Sequence, residues 1–150
     1  MPPKGTVQRR LTYTTELPKP GCSGIVRSSP NGDYLSFISH DQKGIQQVFL
    51  ISPNGGKPVQ VTEHDSDVSG NVRWHPDGKH VSYVWNGSLV LCSIGDAPFN
   101  QRFEKLTMPT ALAPTNSVWS PDGKTVAFNR VVVSENGKDS TQQIFVRKVR

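Results

Sequence analysis

Ser29-Pro30-Asn31-Gly32-Asp33-Tyr34-Leu35-Ser36-Phe37 is answered by His75-Pro76-Asp77-Gly78-Lys79-His80-Val81-Ser82-Tyr83 and again by Ser120-Pro121-Asp122-Gly123-Lys124-Thr125-Val126-Ala127-Phe128. The prolines stand 46 and 45 residues apart. Proline presets φ at the second position of a type I turn, Asn or Asp tolerates the third, and glycine takes a left-handed fourth position without a Cβ clash. Such a turn joins two antiparallel strands. After the glycine, Leu35/Phe37, Val81/Tyr83 and Val126/Phe128 alternate with Ser36, Ser82 and Ala127. That is the period-2 pattern of a strand with one buried face. The small residue in the middle leaves room for a neighbouring sheet.

Working outward from the turn, a third strand is predicted over 47–51, 88–93 and 142–148, and a fourth is marked by Val61-Thr62 and Leu106-Thr107. Four strands recurring at this period make propeller blades, which stack so that each covers the apolar face of the next. A β-sandwich also has short strands and frequent turns, but does not require near-identical turns in register. The fold class is therefore all-β: a partial β-propeller of about three four-stranded antiparallel blades. Residues 1–6 read as a linker, 7–19 as the outer strand of a preceding or last blade, 20–65 as blade 1, 66–110 as blade 2, and 111–150 as blade 3 without its outer strand.

Leu11-Thr12 is a fourth-strand signal with no first three strands before it. Rings are built from about 4 to 8 blades. The expectation is that the remaining blades of a larger parent chain complete the ring, or that two copies do so as a homodimer, a self-assembling half ring. The two ends could pair, but closure within one chain is not strongly favoured, because Arg9 and Arg10 on the orphan strand would lie near Arg147, Lys148 and Arg150 on the last one.

With Trp119-Ser120-Pro121-Asp122-Gly123, Leu106-Thr107 and Leu11-Thr12 in view, the units resemble the WD-like propeller repeats of TolB and its relatives. Over Gln8-Arg9-Arg10-Leu11-Thr12, Leu50-Ile51-Ser52-Pro53-Asn54-Gly55-Gly56 and Trp74-His75-Pro76, the chain is similar to the last blades of larger, uncharacterised TolB-like bacterial proteins. The resemblance implies a six-bladed ring when complete. The first unit departs from the pattern, with Ser28 where the others have Trp74 and Trp119, so a thinner contact with its neighbour is expected there.

Composition sets bounds on function. Of 150 residues, 34% are hydrophobic and 19% charged, the proportions of a soluble domain. No apolar run approaches a membrane span, and no charged-then-apolar leader opens the sequence. As given, the chain reads as cytoplasmic, with a periplasmic location open to a longer parent. The net charge of +5 comes without a nucleic-acid motif or a stacking-aromatic pattern, so it reads as Lys and Arg protecting edge strands. Cys22 and Cys92 lie in different units and read as two free buried thiols rather than a disulfide.

Catalytic motifs are not found. Gly21-Cys22-Ser23-Gly24 lacks the second spacer of a Gly-x-Ser-x-Gly nucleophile elbow. The candidate metal ligands are His40 and Asp41, and His64, Asp65 and Asp67, which follow strand ends with the oxygen spacing that a hard cation uses. A solvated acidic loop is the plainer reading. His75 occupies the turn position of Ser29 and Ser120, where an acceptor can bond the turn backbone, and His80 opens a strand as a surface residue. Pro30, Gly32, Pro76, Asp77, Gly78, Pro121, Asp122 and Gly123 are structural turn residues. Loop lengths also differ: a tight Asn86-Gly87 hairpin in the second unit contrasts with a long 134–141 loop in the third, which reads either as drift at tolerant sites or as a partner face. The expected function is a protein-interaction or ligand-binding scaffold without catalysis or cofactor. The alternative that the resemblance implies is the terminal part of a propeller enzyme, such as an oligogalacturonate-lyase-like polysaccharide lyase with a histidine-held metal.

Overall fold

The computed structural model describes residues 3–149. Three antiparallel sheets follow one another along the chain. Blade 1 holds β1 (Cys22–Ser28), β2 (Leu35–His40), β3 (Gln46–Ile51) and β4 (Val59–Gln60), and blade 2 holds β5 (Val68–Trp74), β6 (His80–Trp85), β7 (Ser88–Ser93) and β8 (Phe103–Lys105). Blade 3 holds β9 (Thr115–Trp119), β10 (Thr125–Val133) and β11 (Ser140–Lys148). Within each blade the strands pair in chain order. The inner strands β1, β5 and β9 lie side by side across the blades, as they must around a common axis.

The repeated turn closes identically in all three blades. The Gly32, Gly78 and Gly123 N–H groups donate to the carbonyls of Ser29, His75 and Ser120 at 2.9, 3.0 and 2.9 Å. These glycines have φ of +79°, +69° and +69°, where any Cβ would be strained. The loop between β10 and β11 repeats the pattern, with Gly137 N–H donating to Ser134 O. The long 134–141 loop expected from sequence is thus a compact turn over 134–139, because β11 begins at Ser140, two residues before the predicted start of that strand.

The Val-Thr and Leu-Thr pairs sit immediately after the outer strands rather than within them. Val61 N–H and Leu106 N–H still donate to Val48 O and Leu89 O, at 2.8 and 2.7 Å. Then the Thr62 and Thr107 hydroxyls accept from Val48 N–H and Leu89 N–H, both at 2.9 Å. The threonine oxygen thereby replaces a backbone carbonyl where the ladder ends, which accounts for the motif physically. Leu11-Thr12 carries the same pair, but residues 7–19 belong to none of the three sheets.

The core lies between blades. Ile38, Val48, Leu50 and Val61 of blade 1 pack on Val68, Val72, Val81, Tyr83, Val90 and Cys92, and Leu89, Leu91 and Leu106 pack on Val126 and Phe128. One buried face was expected for each second strand. Instead β2 and β6 are buried on both faces, Ser36 and Ser82 included; β6 has a neighbouring blade on each side. Cys22 is exposed and Cys92 buried, both as free thiols.

The repeated tryptophans fasten each blade to the one before it. Trp74 Nε1–H donates to Arg27 O at 3.2 Å, and Trp119 Nε1–H donates to Ser82 Oγ at 3.0 Å. Ser28, at the same position of blade 1, reaches only Ser29 O. Replacing Trp119 with phenylalanine keeps the aromatic packing and deletes one hydrogen bond. Urea unfolding is expected to register a loss of about 1 kcal/mol.

Candidate functional site

The inner strands carry the most unusual charge arrangement. Each contains a residue with left-handed φ, Gly24 (+76°), Gly70 (+73°) or Asn116 (+51°). In each blade the pairing with the second strand shifts register, between Ser23 and Arg27, between Ser69 and Arg73, and between Ala127 and Asn129. A bulge of this kind re-aims the side chain that follows it. Here the residues that follow are Arg27 and Arg73, at equivalent positions of adjacent strands. With Ser28, Trp74, Pro76, Val118 and Trp119 they line a cleft of about 250 Å3.

Both arginines are half-buried. Their Nε atoms are buried without a hydrogen-bond partner, and among the described residues neither guanidinium has a carboxylate within salt-bridge distance. Burial, and then the charge of Arg27, hold Arg73 below the usual arginine pKa. Two like charges brought together without a counter-charge form a site short of an anion. In blade 3 the equivalent position is Val118, which is exposed.

The acidic and histidine candidates do not converge. His64 is 5% exposed, with Nε2 at 2.8 Å from the Tyr83 hydroxyl. Its ring stacks on Trp85 at 4.0 Å and meets Phe99 and Phe103 edge-on. Burial pushes its pKa down to about 4, so it is a neutral core residue. Asp41 is pushed up by burial, but N–H groups from Ile45 and Lys43 and the Gln47 amide outweigh this and hold its pKa below the usual value. Asp67 accepts from Gln46 N–H at 2.8 Å, and Asp65 from the Ser66 hydroxyl. His40 ends β2 with its Nδ1 buried and unpartnered.

Sequence reading treated His75 and His80 separately, and the structure joins them through Asp77. His75 Nδ1 lies 3.1 Å from Asp77 Oδ1, and His80 Nδ1 lies 2.7 Å from Asp77 Oδ2. The readable signal was that only the middle unit replaces both flanking positions of its turn, Ser/Tyr in blade 1 and Ser/Thr in blade 3, with histidine.

Comparison with solved structures places this architecture. The chain superimposes on TolB from Acinetobacter baumannii with a TM-score of 0.62 at 20% identity, covering 85% of this chain and 32% of that one. The fold is that of the TolB-like propellers. The tricorn protease gives a TM-score of 0.64 at 14% identity over 88% of this chain and 12% of its own. Oligogalacturonate lyase from Vibrio parahaemolyticus gives 0.59 at 18% identity over 82% and 32%. By sequence, the chain is 36% identical over 133 residues to the uncharacterized protein YidR of Escherichia coli K12, covering 85% of this chain and 31% of YidR. This TolB-like chain thus spans about a third of the length of that relative. No protein-family model matches it. No helix among the described residues is long and apolar enough to cross a membrane.

Proposed function

We propose that this chain is a ligand-presenting segment of a TolB-like propeller, in which Arg27 and Arg73 hold an anionic group of a partner, without catalysis by the segment itself. The observation that carries this reading is the pair of half-buried guanidiniums on adjacent inner strands, with no carboxylate among the described residues within salt-bridge distance. Guanidinium forks match carboxylates in a bidentate geometry. Trp74 and Trp119 border the same cleft and supply flat faces beside the charge. The remaining blades of a larger chain, or a second copy, would wall off the other side. The relative three times as long supports the first of these.

Titration of the full chain with a carboxylate polymer, followed by tryptophan fluorescence, tests the proposal. Saturable binding is expected, weakening with salt, and the Arg27→Ala/Arg73→Ala variant should lose about tenfold or more in affinity. Unchanged binding by that variant overturns the assignment. A second reading, a segment of an enzyme acting on acidic sugar polymers, is favoured by the structural likeness to oligogalacturonate lyase. Running the titration with oligogalacturonate separates the two, since an enzyme forms product and a scaffold returns the polymer unchanged.

A further inference from the structure

The middle turn offers a metal site that its sister turns lack. In blades 1 and 3 the turn serine donates to Asn31 or Asp122 and accepts from the N–H of Tyr34 or Thr125. Those contacts are purely local. In blade 2 the serine position is His75 and the position five residues on is His80, and both rings aim Nδ1 at the carboxylate between them. One ligand atom from each of His75, Asp77 and His80 lies within 4.8 Å of the others, and this is the group of its kind among the described residues.

We propose that His75, Asp77 and His80 bind a divalent d-block cation such as zinc or nickel, through His75 Nδ1, His80 Nδ1 and the Asp77 carboxylate. Four features of the turn support the assignment. Nitrogen and carboxylate together suit zinc and nickel, whereas calcium and magnesium take oxygen ligands. Atoms sharing a tetrahedral zinc sit roughly 3.3 Å apart, given bonds of about 2.0–2.1 Å. The nitrogen-to-oxygen distances here, 3.1 and 2.7 Å, are close to that spacing.

The third feature is the orientation of His75. Its Nε2 lies 3.0 Å from Gly123 O. A carbonyl only accepts, so Nε2 carries the proton and Nδ1 presents a lone pair. A metal-binding histidine is oriented in this way when its second nitrogen donates to a backbone carbonyl. The ring is further fixed by edge contact with Trp119 at 4.7 Å and by Gly123, where any Cβ would lie 2.5 Å from His75 Cε1. The fourth is the carboxylate, which is held by Lys79 N–H and His80 N–H on Oδ1, at 2.8 and 3.2 Å.

Binding displaces two existing contacts. The Asp77 N–H, 3.2 Å from His75 Nδ1, gives up that lone pair. The His80 Nδ1 proton facing Asp77 Oδ2 is replaced by the metal, and the ring carries its proton on Nε2 instead. His80 is exposed on its outer side, with 37% of its side chain accessible, so water can complete the coordination shell.

The sister turns supply the variants. His75→Ser and His80→Thr install the residues of blade 3 and keep the turn chemistry. The untagged full chain is titrated with zinc by calorimetry, and with cobalt by its visible absorption. One equivalent is expected to bind, and the double variant should lose about tenfold or more in affinity while keeping the circular dichroism of the parent. His40→Ala should bind as the parent does. The proposal is overturned by the absence of saturable binding, by unchanged affinity in the double variant, or by loss of binding in His40→Ala.

Discussion

Truncation of Tyr83 to alanine should lower the unfolding free energy by about 3–5 kcal/mol, the range for emptying a buried aromatic site. Tyr83 is fully buried in the core between blades 1 and 2. Its ring meets His64 edge-on at 5.5 Å, and its hydroxyl bonds His64 Nε2 at 2.8 Å. The loss would be a large part of the 5–15 kcal/mol that holds a typical domain. Urea denaturation followed by tryptophan emission measures it. Tyr83→Phe separates the two contributions, because it keeps the ring and strands a buried imidazole nitrogen, and should cost about 1–3 kcal/mol. Equal midpoints for parent and alanine variant would show that the inter-blade core does not hold the fold together.

The second large effect is acid sensitivity from the same cluster. Burial holds His64 at about 4, against about 6.5 in an unfolded chain. Below pH 6.5 the unfolded state therefore binds a proton that the folded state refuses. Stability from this group is complete above 6.5 and falls as pH drops toward 4, by about 3 kcal/mol in total. Asp41 and Asp77, whose pKa values are both lowered, lose their contributions only as pH falls below the ordinary carboxylate range, in a separate window. His64→Gln keeps a hydrogen-bonding group opposite Tyr83 and does not titrate, so its stability between pH 6.5 and 4 should be nearly flat. A variant as steep as the parent would place the proton elsewhere.

The blade architecture was legible because Pro-(Asn/Asp)-Gly is almost wholly local chemistry. A proline φ, a tolerant Asn or Asp and a left-handed glycine dictate the turn wherever it occurs. The Thr62 and Thr107 signals were legible as repeats but were displaced by a residue or so, since the hydroxyl ends the ladder instead of extending it. The two-sided burial of β2 and β6 could not be read from a period-2 pattern, because serine serves as a small buried contact on the second face.

The sites were harder to read. Asp41, His64 and Asp67 looked like ligands because they follow strand ends in loops with other polar side chains close by in sequence, yet each is taken up by a different local partner: a turn, an aromatic box and a strand end. Arg27 and Arg73 were invisible as a pair, since their meeting depends on two blades lying side by side and on bulges that turn the side chains. His75 and His80 were read one at a time, when their departure from the sister turns at matching positions was the informative observation.

The indole bonds give the stack a polarity. Both repeated tryptophans point backward along the chain, Trp74 to blade 1 and Trp119 to blade 2. Dividing the molecule after β8 would leave the bond between blades 1 and 2 whole, while uncovering the Ser82 hydroxyl, His75 Nε2 and the apolar face of Leu89, Leu91 and Leu106. Dividing it before β5 would instead orphan the Trp74 donor along with the face it covers. The assembly is thus vectorial: a blade can be appended at the end without disturbing the fastenings already made, whereas removing one at the start undoes the fastening of its successor.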